Sequence, residues 1–174
     1  MNLFRRNMDE DDDYYGSIVL GISDALIEMT GVLAGLTFAL KDLKLVALSG
    51  LVTGIAASLS MGASEFLSKR AESRNSLPIK EALYTSMSYL FVVTILISPY
   101  LLIEQERFGL EPHIFALSLT LCMGVFVVAG FNKWISVKQN QPFFSRFLEM
   151  LGILAIVTGV SYAIGIGLAS AINV

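Results

Sequence analysis

The sequence predicts an all-α integral membrane protein, a bundle of five transmembrane helices. Three observations carry that prediction. Of 174 residues, 55% are hydrophobic and only 16% charged, too few polar side chains to cover a soluble domain of this size. The mean hydropathy is +0.68, and it is concentrated in long apolar runs parted by short charged clusters. Pro78, Pro112 and Pro142 stand at the starts of three of those runs, where a missing N–H costs a helix least.

The first helix is expected from about Ser17 to Leu40, behind an acidic tail over residues 1–16. In that tail Asp9-Glu10-Asp11-Asp12-Asp13 sits where the apolar core of a cleavable signal would begin, so no signal peptide is read here. The tail is expected to be solvated, disordered and cytoplasmic, able at most to concentrate cations at an entrance. Lys41-Asp42-Leu43-Lys44 reads as a tight charged hairpin, and the second helix runs from about Leu43 to Ser68. Asn75-Ser76-Leu77-Pro78 makes the next turn, followed by a third helix from about Ile79 to Ile103, with Pro99 positioned to kink it. The fourth is expected from about Pro112 to Val137 and the fifth from about Pro142 to Ala171. At about 1.5 Å per residue each crosses a hydrocarbon core of about 30 Å, and together they form one domain over residues 17–174.

The basic residues choose an orientation. Arg5, Arg6, Lys69, Arg70, Arg74, Lys80, Lys133, Lys138 and Arg146 fall on one side, against Lys41, Lys44 and Arg107 on the other. That bias predicts a cytoplasmic N-terminus, an external C-terminus and an external acidic segment from Glu104 to His113. Tyr14, Tyr15, Tyr100 and Trp134 fall near the expected interfaces and read as anchors. Cys122, the single cysteine, lies in an apolar run and reads as core packing. With no targeting extension, the plasma membrane is the expected location. No basic patch for nucleic acid is present. There is no Ser–His–Asp constellation, Gly-rich phosphate loop or Cys/His metal spacing, so the chain is not read as an enzyme and no cofactor is expected.

Chemistry concentrates in carboxylates set within apolar helices: Asp24 and Glu28 in the first, Glu65 in the second. Each costs about 2.5–3.5 kcal/mol to insert and therefore asks for a reason. Asp24 and Glu28 are four apart and share one face, which Gly31 and Gly35 continue. On the second helix Gly50, Gly54, Ala57, Met61 and Glu65 form a matching stripe of small residues and ligands. Counted from the cytoplasmic ends, Asp24 and Met61 share a depth of about 10 Å, with Glu65 nearer the cytoplasm and Glu28 nearer the midplane. Carboxylates with a thioether suit a borderline first-row cation, ferrous iron or manganese, rather than calcium. Protons would compete for the same oxygens, the minimum needed for metal/proton exchange. The alternative roles are helix–helix hydrogen bonding for Asp24 and Glu28, core filling for Met61, and pairing with Lys69 or solvation at the interface for Glu65. Glu149, beside Met150 in the fifth helix, and Glu72 are weaker candidates; Asn132 stands at the same level. Glu81 opens the third helix, where a negative charge is favourable without further function, and His113 reads as inert in an external loop.

The stretch Val19-Leu20-Gly21-Ile22-Ser23-Asp24-Ala25-Leu26-Ile27, with Gly31-Val32-Leu33-Ala34-Gly35-Leu36, resembles the first helix of the vacuolar iron transporter family, which carries G-x-x-D-G-[LI] and then A-G-L. Ser60-Met61-Gly62-Ala63-Ser64-Glu65-Phe66-Leu67-Ser68 is similar to its second-helix core, S-M-x-x-x-E-[YF]-[LIV]-S. The resemblance implies a five-helix protomer, a homodimer, and export of ferrous iron or manganese from the cytoplasm against protons. It places Asp24, Met61 and Glu65 at the family's ligand positions. Three departures stand out. Ala25 replaces a common glycine, and Thr53 replaces a common glutamate, a loss that Glu28 is expected to compensate. Between the second and third helices only Lys69 to Pro78 are present, so the cytoplasmic metal-binding domain of better-known members is missing.

The expected mechanism is alternating access around Asp24, Glu28 and Met61, with Glu65 guiding entry. One protomer offers few ligands for a divalent ion, which prefers about six. A second copy would double them, and the glycine faces are read as its contact surface; the competing view is that they pack helices within one protomer. The rival functions are a non-transporting scaffold or assembly subunit, and a small proton-coupled carrier of organic cations. The second is disfavoured because Phe38 and Phe66 are the only aromatic residues expected in the first two helices.

Overall fold

In a computed structural model of the chain, the backbone is described for residues 2–72, 77–103 and 111–172, and the side chains within these from residue 14 to residue 171. Five helices follow in order: α1 (Asn2–Leu40), α2 (Leu43–Ala71), α3 (Pro78–Leu102), α4 (Pro112–Gln139) and α5 (Phe143–Ile172). α1 starts well before the boundary expected near Ser17. Nothing between Asn2 and Ser17 stops a helix: there is no proline, and the lone Gly16 costs only about 1 kcal/mol against alanine. The acidic side chains of Asp9 to Asp13, Arg74 to Ser76 of the second turn and Glu104 to Leu110 lie outside the described residues.

All five helices contain a stretch long and apolar enough to cross a membrane. Their outward surfaces agree: Val52, Leu59, Met87, Phe91, Phe126 and Ile156 are all more than 60% exposed. Water would not tolerate so continuous an apolar coat, whereas lipid tails would. These findings support a multi-pass membrane protein. The α1–α2 turn is short because its ends are capped. Lys41 takes the left-handed conformation (φ 54°), its N–H reaching the Thr37 carbonyl at 3.1 Å, and Asp42 Oδ1 accepts from the Leu45 N–H at 2.8 Å. Asn140 ends α4 in the same left-handed way.

The chain divides into two compact units. The first holds α1 to Ala25, α2 from Val52 and α3 to Val93. Here α2 and α3 approach closely. Ser86 Oγ donates to the Ser58 carbonyl at 2.9 Å, and a Cβ on Gly62 would lie 3.0 Å from the Ala82 carbonyl. Val93 packs onto Gly54.

The second unit holds the rest of α1, the start of α2, the end of α3, and α4 and α5. Leu26, Met29, Leu33, Leu96, Ile97 and Val128 are buried in it. Thr37 Oγ1 and Tyr100 Oη lie 2.6 Å apart, both buried, so Tyr100 is an internal link and not an interfacial anchor. Pro99 cannot donate to the Ile95 carbonyl one turn back; Ser98 Oγ donates to it instead at 2.7 Å. Thr120 Oγ1 donates to the neighbouring Leu96 carbonyl at 3.0 Å.

Within this unit the glycine faces are corrected. Gly31 meets Val157 and Ser161 of α5, Gly35 meets Ser161, and Gly50 meets Leu33 and Ile97. These glycines pack helices inside one chain, the competing view above. At Gly165 any Cβ would collide with the Gly35 carbonyl. Gly165→Leu is therefore expected to cost about 1–3 kcal/mol by overpacking, read as a lower melting temperature in detergent. Two further expectations are corrected. Cys122 is exposed on α4 and fills no core. His113 is buried in the first turn of α4, with Nε2 3.0 Å from Glu111 Oε2.

Candidate functional site

The first unit gathers polar groups from the end of α2 and the start of α3 against the middle of α1. Ser17 of α1 is buried, and its Oγ donates to Glu65 Oε1 of α2 at 3.0 Å. The Ser17 carbonyl accepts from Thr85 Oγ1 of α3 at 3.3 Å. Thr85 is fully buried and also donates to the Glu81 carbonyl at 3.2 Å. Glu81 itself is only 1% exposed, and its Oε2 lies 3.6 Å from Lys69 Nζ. A serine, a threonine, two carboxylates and an ammonium thus tie α1, α2 and α3 together in a stretch of otherwise apolar sequence. Such groups persist in low dielectric when they hydrogen-bond or neutralise one another.

The Ser17–Glu65 bond also sets depth. Met61 lies one turn beyond Glu65 along α2, and Asp24 two turns beyond Ser17 along α1. Asp24 is then deeper than Met61 by about one turn, roughly 5 Å, where the sequence placed them level. Side chains tilt toward the N-terminus of their own helix, so Asp24 leans toward the Glu65 end and Met61 away from it, which narrows the gap. Asp24, Met61 and Glu65 are all half-buried.

Glu28, Glu72 and Glu149 are the remaining candidates. Glu28 is half-buried on α1 in the second unit. Glu72 is exposed just past the end of α2, and Glu149 is exposed on α5. Its neighbour Met150 is the buried one: Asn132 Nδ2 donates to Met150 Sδ at 3.2 Å and to the Val128 carbonyl at 2.9 Å. Among the described residues no three His, Cys, Asp or Glu side chains are grouped so as to hold a metal ion.

Sequence reasoning gave Ser17 and Thr85 no role and read Glu81 as a helix-end charge. The available signal was the recurrence of polar residues at spacing four on α3, Glu81 and Thr85, within an apolar run. Pairing with Lys69 was weighed as an alternative role for Glu65; the structure places Lys69 Nζ 3.6 Å from Glu81 Oε2.

No curated protein matches the chain. Residues 15–76 match the model of the VIT family, a stretch that contains Ser17, Asp24, Glu28, Met61, Glu65 and Lys69. That match spans less than half of the chain, and it makes the two helices that bear the acids and the sulfur similar to the VIT family.

Proposed function

We propose that the protein exports ferrous iron or manganese from the cytoplasm in exchange for protons, with Asp24, Glu28 and Met61 as the central ligands and Glu65 at the inner approach. One observation carries the reading: Glu65 is fixed against α1 by Ser17, within the segment that matches the family, on the same two helices as Asp24 and Met61. A half-buried carboxylate that accepts one hydrogen bond from a hydroxyl keeps further lone pairs for a cation. The thioether favours a borderline metal over calcium or magnesium. A deprotonated pair takes the ion from the cytoplasmic side, and external protons displace it by occupying the same oxygens.

Two carboxylates and a thioether remain short of a divalent ion's appetite for ligands. A homodimer in which each copy contributes Asp24 and Met61 supplies the remainder. The experiment is uptake by purified protein in proteoliposomes. Saturable ferrous or manganous transport that depends on a pH gradient supports the reading, and its absence favours a scaffold. Glu28→Gln in the same assay is expected to impair transport about as much as neutralising Asp24, if Glu28 makes up for the acid absent at Thr53. Transport at the wild-type rate would remove Glu28 from the ligand set.

A further inference from the structure

The first unit carries a groove unrelated to the acids. It lies between α2 and α3, has a volume of about 490 Å³, and its walls include Leu59, Ala63, Leu67, Ile79 and Leu83, with Gly62 at its floor. At Gly62 α3 comes down onto α2 at Ala82 and Ser86 with no room for a side chain, and Ala63 beside it stays exposed. The lining is almost wholly apolar, Ser86 being the polar exception, and that residue is engaged with the Ser58 carbonyl.

The mouth of the groove has a different character. On α2 the stripe Leu59, Ala63, Leu67 steps by one further turn to Arg70, which is exposed. On α3 the exposed Lys80 follows Ile79 and stands three residues before Leu83. Both cations lie where the candidate spans end, Ala71 on α2 and Pro78 on α3, the level at which lipid headgroups sit. An apolar slot whose lining helices each carry an exposed cation about one turn beyond it, where the candidate spans end, matches a molecule with a hydrocarbon tail and a single negative head.

We propose that this groove is a binding site for an anionic diacyl phospholipid, one acyl chain lying along Leu59, Ala63, Leu67 and Leu83 and the phosphate held by Arg70 and Lys80. The proposal does not depend on metal transport. Basic residues at a membrane-facing pocket select acidic headgroups, and the apolar walls supply affinity without selectivity.

The test is native mass spectrometry of the purified protein in neutral detergent, with phosphatidylglycerol or phosphatidylcholine of identical acyl chains. Wild type is expected to retain phosphatidylglycerol about tenfold better than phosphatidylcholine, as two nearby cations imply. Arg70→Gln with Lys80→Gln is expected to equalise the two lipids. Ala63→Trp, at an exposed position that fills the groove, is expected to reduce retention of both. Equal retention of the two lipids by wild type, or unchanged selectivity in the charge variant, overturns the proposal. A delipidated wild-type dimer that Ala63→Trp dissociates also overturns it, because the groove is then covered by a second copy of the chain.

Discussion

Asp24→Asn is expected to lower metal uptake in proteoliposomes by tenfold to a hundredfold and to leave the protein at least as stable as wild type. The two halves of that outcome have one cause. Asparagine keeps the size of aspartate and its capacity to accept hydrogen bonds, but it carries no charge. An interaction involving a charged group is worth about 1.5–3 kcal/mol, which converts to roughly tenfold to a hundredfold in affinity. In hydrocarbon, however, an ionised carboxylate is a burden of about 2.5–3.5 kcal/mol. If Asp24 is half-buried to serve a cation, its neutralisation trades activity for stability. If it is there to hold helices together, stability falls with it. Parallel uptake and thermal-unfolding measurements on the one variant tell these apart, and normal uptake would remove Asp24 from the path.

The second large effect is at Lys69. Its Nζ lies 3.6 Å from a Glu81 that is 1% exposed, and its own side chain is 17% exposed. Removing one member of a buried ion pair typically costs about 3–5 kcal/mol, because the other charge is left behind. Lys69→Met is expected to fall in that range, seen as a marked drop in the melting temperature in detergent. Lys69→Met with Glu81→Gln is expected to recover most of it, since replacing both charges is often neutral or stabilising. Equal melting temperatures for wild type and the single variant would show that the pair carries no structural weight.

Much of the fold was legible because hydrocarbon permits few solutions. Every backbone group in a span must be satisfied internally, so apolar runs of this length are helices, and Pro78, Pro112 and the residue after Pro142 mark their starts. What was illegible is which face of each helix turns inward. In water the apolar face is the buried one; in lipid both faces are apolar and the pattern loses its meaning. Hence Cys122 was placed inside and is exposed, Met150 and not its neighbour Glu149 is the buried residue of that pair, and Gly31 and Gly35 were turned toward another subunit when α5 covers them. The same blindness hid the α2–α3 register, so Glu81 looked like an ordinary helix-end acid. The acids of the candidate site were visible for the opposite reason: charge in an apolar run stands out whatever its orientation. Their mutual depth was not, because it rests on a long-range bond, Ser17 to Glu65, that no local spacing announces.

The broken rung at Pro99 has a mechanical consequence. A helix that loses a backbone hydrogen bond in oil normally stiffens its neighbours around the defect, since bending would strip a carbonyl bare. Here the hydroxyl of Ser98 travels with the Ile95 oxygen it covers, and that of Thr120 covers the next one. A bend of α3 at Pro99 therefore strips no carbonyl bare in lipid, because both oxygens beside the defect are clothed by hydroxyls.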